Sequence, residues 1–186
     1  MRKHSIFWIE KISKPSIIFL LLFLFIIFQL IFQMGLMPEF KKVSNDNRIL
    51  DFELVKSRAV AYEMISGYGE TGIKFYNYIQ IVDIFYPIAY SLLLAALICY
   101  LLKSAVSRFK YVCLFPLAGA LFDYAENLGI FLMLRIYPKP FHSIAAAAHA
   151  MSILKFSFII LSILIVIVLG FNFILKFIKH FVSTQV

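Results

Sequence analysis

Four long apolar blocks, residues 16–37, 77–102, 111–137 and 142–178, constrain this chain more than any other feature of its sequence. Each exceeds the roughly 18 residues that mark a spanning helix, and their apolar character is continuous rather than periodic. Inside a bilayer the backbone must satisfy its own hydrogen bonds, which blocks of this length do as α-helices. The composition agrees, because 62% of side chains are apolar and 15% charged, whereas soluble domains carry about 25% charged residues. The expected fold is all-α: a polytopic membrane protein, with residues 1–186 forming one four-helix transmembrane bundle.

The first block follows Arg2, Lys3, Lys11 and Lys14 and so resembles a secretory signal. It is longer than a signal's apolar core, and the stretch Gln33 to Pro38 has no small-x-small cleavage site, so it is expected to stay as an anchor helix. The net charge of +8 does not call for nucleic acid. Its basic residues gather where spans end: before helix 1, in the link carrying Lys103, Arg108 and Lys110, and at Lys176 and Lys179 after helix 4. By the positive-inside rule these three places share the cytoplasmic side, which puts both termini inside a bacterial inner membrane. Cys99 and Cys113 fall near the inner ends of helices 2 and 3 and are expected to be small, buried, unpaired residues.

Residues 38–76 form the one sizeable segment expected outside the bilayer. Asp51 can cap a short amphipathic helix there, with Phe52, Val55, Ala59 and Tyr62 on its apolar side and Glu53, Lys56 and Ser57 away from it. Gly67 and Gly69 are expected to end it, and the run 67–72 reads as a turn rather than a phosphate cradle, since a P-loop's lysine and Ser/Thr are missing. Phe75, Tyr76 and Tyr78 suit the headgroup level.

Ionisable groups at membrane depth are costly, so they mark either a packing network or a site. On helix 2, Tyr76, Gln80, Asp83, Pro87 and Tyr90 share one face, and Pro87 predicts a kink beside Asp83. Helix 3 carries Asp123, Glu126 and Asn127 between Gly119 and Gly129, and the two acids, three apart, share a face. Helix 4 places His149, Ser152 and Lys155 on one polar arc beside the alanines 145–148, while helix 1 adds Gln29 and Gln33. At 1.5 Å of rise per residue, all of these lie in the outer half or near the middle of the bilayer, leaving the inner half apolar. Three acids face one lysine, so at least one acid needs a proton or a neutral hydrogen-bonding partner.

Written out, Tyr68-Gly69-x-x-Gly72-x-x-x-Tyr76, Asp83-x-x-x-Pro87-x-x-Tyr90 and Phe122-Asp123-Tyr124-x-Glu126-Asn127 resemble a pattern in uncharacterised small four-helix bacterial integral membrane proteins. The resemblance spans residues 51–127. Such proteins tend to carry a basic residue, often arginine, after the second glycine, where this chain has Ile73-Lys74. No assigned activity comes with the likeness, which implies a choice of residues rather than a reaction.

Three functions fit these residues. An accessory or assembly protein, or one that binds an amphiphile, would use Gln80, Asp83, Tyr90, Asn127, His149, Ser152 and Lys155 to hold the bundle or a headgroup. A membrane enzyme acting on a lipid or isoprenoid would use Asp123 and Glu126 as catalytic acid and base, with Lys155 or His149 on an anionic head. A transporter or proton relay would need a path through the apolar inner half. No metal-ligand motif stands out. Neither retinal on Lys155 nor haem on His142 and His149 is expected, because four helices make a small pocket and the two histidines sit seven apart on one helix. The expected partners are membrane lipids and possibly another membrane protein, with no nucleic acid; no cofactor is named by these residues.

Overall fold

The computed structural model describes residues 7–52, 58–103 and 107–183, and among these every element is helical. The elements are α1 (Phe7–Ile12), α2 (Pro15–Leu30), α3 (Met37–Val43), α4 (Arg58–Asp83), α5 (Tyr86–Leu101), α6 (Phe115–Ile136) and α7 (His142–Ser183). Four stretches are long and apolar enough to cross a membrane: Pro15–Val43, Val60–Leu101, Tyr111–Ile136 and His142–Lys176. The chain is therefore a four-helix bundle of the multi-pass membrane type.

Packing is uneven. α6 and α7 pair along much of their length, and α5 lies against both, while α2 leans on α5 and has no extended packing with α6 or α7. The α6–α7 contact rests on a missing side chain, since a Cβ on Gly129 would stand 2.8 Å from the Ala148 Cβ. Gly119 is likewise covered by Phe158 and Ile159. These glycines and the alanine run are thus consumed by helix packing. They do not leave the room that a cavity would need.

Helical breaks fall where proline or glycine dictates, though not always as the sequence pattern predicts. Pro38 has no N–H to offer the carbonyl four residues back. Just before it, Ile31–Leu36 widens into π-helix, with the Met37 N–H bonded to the Phe32 carbonyl, a geometry common at functional sites. At Pro87 the result is stronger than a kink. α4 stops at Asp83, Ile84 and Phe85 form a turn, and α5 restarts at Tyr86. The Ile84 carbonyl, exposed by this break, accepts a 2.6 Å hydrogen bond from the Tyr124 hydroxyl.

The break expected within residues 67–72 falls at Gly69, whose φ of 65° and ψ of 177°, a conformation open essentially to glycine only, separate two helical halves of α4 that meet at a kink. Gly67 and Gly72 serve another purpose: a Cβ on either would press on the loop of Ser44 and Asn47 at 2.8–3.2 Å. That loop turns through Asn45 and Asp46 at positive φ, which these residue types tolerate. The cap expected at Asp51, together with Glu53, Val55, Lys56 and Ser57, falls partly outside the described residues. Asp51 itself lies in a short 3-10 turn, Leu50–Phe52, and meets Tyr76 of α4.

The two ends of the bundle are chemically distinct. At one end Phe40 packs edge to face on Tyr68 and Tyr76, with ring centroids 5.1 and 5.4 Å apart, and the two tyrosine rings lie tilted against each other at 5.6 Å. Tyr76 is fully buried within the bundle, whereas Tyr78 is exposed. At the other end Ile9, Ala95, Ile98, Cys99 and Cys113 form an apolar core in which both cysteines are buried and not joined by a disulfide.

Candidate functional site

A cavity of about 490 Å³ opens beside the polar residues, within the usual range for ligand sites. Its walls come from three helices: Phe25, Gln29, Phe32 and Gln33 of the first span, Tyr86, Tyr90, Leu93 and Leu94 of α5, and Lys155, Phe156, Ile159 and Ile163 of α7. Asp83 and Asp123 project into it, and Ile49 and Asp51 close it from the loop side. The walls formed by α2 and α7 do not pack on each other, so the cavity opens sideways between them.

Lys155 is the centre of the charge cluster. It approaches Glu126 Oε2 at 2.5 Å and Asp123 Oδ1 at 3.3 Å, and its side chain is 7% exposed. Asp123 also accepts a 2.9 Å hydrogen bond from the Tyr90 hydroxyl. One ammonium thus serves two acids, one carboxyl more than its single charge can balance. Asp83 lies apart from this set. Its partner is an amide, the Asn127 Nδ2 at 2.7 Å, and Gln80 in turn donates to the Asn127 backbone carbonyl at 3.0 Å. Asp83 therefore meets the requirement for a neutral hydrogen-bonding partner, and α6 carries both clusters on successive turns.

The residues singled out in the sequence divide into two groups. Asp83, Tyr90, Asp123 and Lys155 line the cavity. Glu126 lies behind it, fully buried against Lys155, and Gln80 and Asn127 support Asp83 from the rear. His149 and Ser152 are not on the cavity wall. Ser152 is fully buried, and its Oγ, the His149 Nδ1 and the Gln80 Oε1 have no hydrogen-bond partner among the described residues.

Sequence pattern missed Asp51 and Tyr86. Asp51 reads as a helix cap, yet its carboxylate accepts a 3.1 Å hydrogen bond from Tyr76, whose oxygen accepts from the Leu50 N–H at 3.0 Å. The buried tyrosine at 76 was the available signal, since a phenol that deep needs a partner. Tyr86 clasps α2 to α5: Phe25 and Phe32 lie at ring distances of 6.0 and 5.4 Å, and Gln29 donates to its hydroxyl at 3.0 Å. Among the described residues no three His, Cys, Asp or Glu side chains are placed to hold a metal ion.

Fold and geometry together define a four-span helical membrane protein with a sideways-opening polar cavity. Its relatives are not visible: no family model matches the chain, and neither a curated protein nor a solved structure is significantly similar to it.

Proposed function

We propose that this protein binds an amphiphile that enters from the bilayer between α2 and α7. The observation that carries this reading is the polarity of the cavity along its length. Gln29, Gln33, Asp51, Asp83, Tyr86, Asp123 and Lys155 gather at one end, and Phe25, Leu93, Leu94, Ile159 and Ile163 form the other. Eight residues separate Phe25 from Gln33, Tyr86 from Leu94 and Lys155 from Ile163, which is about 12 Å of helix in each case. A polar head and the first part of an apolar chain match that gradient. A network needed only for packing would close on itself and leave no such space.

The head is of a particular kind. Lys155 is held by two carboxylates and Asp83 by a neutral amide, so the polar end offers more acceptors and negative charge than donors. It favours a headgroup bearing an ammonium or several hydroxyls over a bare phosphate. The polar end faces the non-cytoplasmic side if both termini are cytoplasmic, an orientation supported by Lys14 and Lys103 lying together at the opposite end.

Photo-crosslinking tests this reading. An aminophospholipid with a diazirine in its acyl chain is expected to label peptides from residues 25–33 and 86–94. Leu94→Trp, which fills the apolar end, is expected to abolish that labelling while the bundle stays folded. Equal labelling of Leu94→Trp and the parent protein would refute an occupied cavity.

A further inference from the structure

A second hollow lies at the opposite end of the bundle, where α1 meets α2 and α5 ends. It measures about 440 Å³ and is bordered by Glu10, Ser13, Lys14, Cys99, Tyr100 and Lys103. We propose that it binds the phosphodiester of an anionic phospholipid, a site separate from the amphiphile cavity.

Its depth is set by the sequence. Lys14 immediately precedes the apolar run that begins at Pro15, and Lys103 follows the end of α5 at Leu101 by two residues. The two ammonium groups therefore stand where hydrocarbon gives way to headgroups, the level at which basic pockets between spans take anionic lipids. Both lysines are exposed, and neither has an ion-pair partner among the described residues. With Glu10 included, the charged walls sum to +1, the reverse of the outer cavity.

Local structure adds to this preference. Lys14 occupies the position before α2 in extended conformation, φ −90° and ψ 142°, next to the positive end of that helix. The Ser13 hydroxyl is not offered to a ligand, since it donates to the Ile9 carbonyl at 2.6 Å. Recognition thus rests on the two lysines, with the Tyr100 phenol beside them on the same wall. Beneath them, Cys99 belongs to the apolar core of Ile9, Ala95, Ile98 and Cys113. An apolar floor under two cations suits a lipid phosphate, with its chains running down the bundle, better than a freely dissolved anion.

The full chain in mild detergent, incubated with equal phosphatidylglycerol and phosphatidylcholine and examined by native mass spectrometry, tests the proposal. The parent protein is expected to retain phosphatidylglycerol in preference. Lys14→Gln/Lys103→Gln should lower that preference at least tenfold, and Lys14→Arg/Lys103→Arg should keep it. Lys11→Gln/Lys179→Gln removes as much charge outside the hollow and should also keep it. Equal losses in the two glutamine pairs would mean diffuse surface attraction and overturn the site. Competition of phosphatidylglycerol by millimolar inorganic phosphate would overturn the lipid assignment in favour of a soluble anion. Retained preference in Leu94→Trp would separate this site from the outer cavity.

Discussion

Removing Lys155 should cost more than removing either acid it serves, and removing a second charge should restore part of the loss. Lys155→Met leaves Glu126, fully buried, and Asp123, 5% exposed, without a cation. A buried ion stranded in this way costs about 3–5 kcal/mol. Glu126→Gln is milder, because Lys155 keeps Asp123 at 3.3 Å and the amide fills the same volume; about 1–3 kcal/mol is the corresponding loss. In Lys155→Met/Glu126→Gln one stranded charge is gone, and the remaining Asp123 still accepts the Tyr90 hydroxyl. The double variant should therefore unfold at a higher temperature than Lys155→Met alone. Cys99 and Cys113, both buried thiols outside any disulfide, supply the assay, since a thiol-reactive fluorophore reports their exposure on heating. Membrane proteins commonly unfold irreversibly, so midpoints are compared at one scan rate. If the midpoint shifts of the two single variants simply add in the double variant, these side chains do not interact and the charge cluster is wrongly assigned.

Two further outcomes follow from the loop of residues 44–52 and from the charge distribution. Tyr76→Phe leaves the Leu50 N–H and Asp51 without the phenol that joins them; it should destabilise by about 1–3 kcal/mol and speed limited proteolysis within residues 44–57, whereas an unchanged cleavage rate would show that the loop is held by other contacts. With Cys99 and Cys113 replaced by serine, a cysteine at Asn45 should react with an impermeant reagent from the non-cytoplasmic side and one at Lys179 should not, the reverse pattern excluding the proposed orientation.

How much was legible in the sequence depends on the range of the interaction concerned. Hydropathy is a local property, and a helix satisfies its backbone within its own length, so four spans and an all-helical fold could be read without any knowledge of neighbours. That Asp123, Glu126 and Lys155 lie at similar depth was also legible, because rise per residue converts position into depth, but the separate pairing of Asp83 with Asn127 was not. Glycine and proline signalled breaks at Gly69 and Pro87. That Pro87 gave a full interruption rather than a kink depended on what could satisfy the freed backbone groups, such as Tyr124 reaching the Ile84 carbonyl, and the π-helix before Pro38 went unread.

Pairing and empty space were decided only in three dimensions. Periodicity places Glu126 and Asp123 on one face of α6, but the position of α7 buries the first and opens the second to the cavity. Gly119, Gly129 and the alanines fit either tight helix packing or a cavity, and the structure spends them on the α6–α7 contact. The cavity arises where α2 stands away from α7, and no single helix encodes that separation. Asp51 makes the same point, since a carboxylate that could cap its own helix is drawn inward by a tyrosine 25 residues away. Local sequence sets which groups must find partners, whereas the packing of one helix against another sets which partners they find.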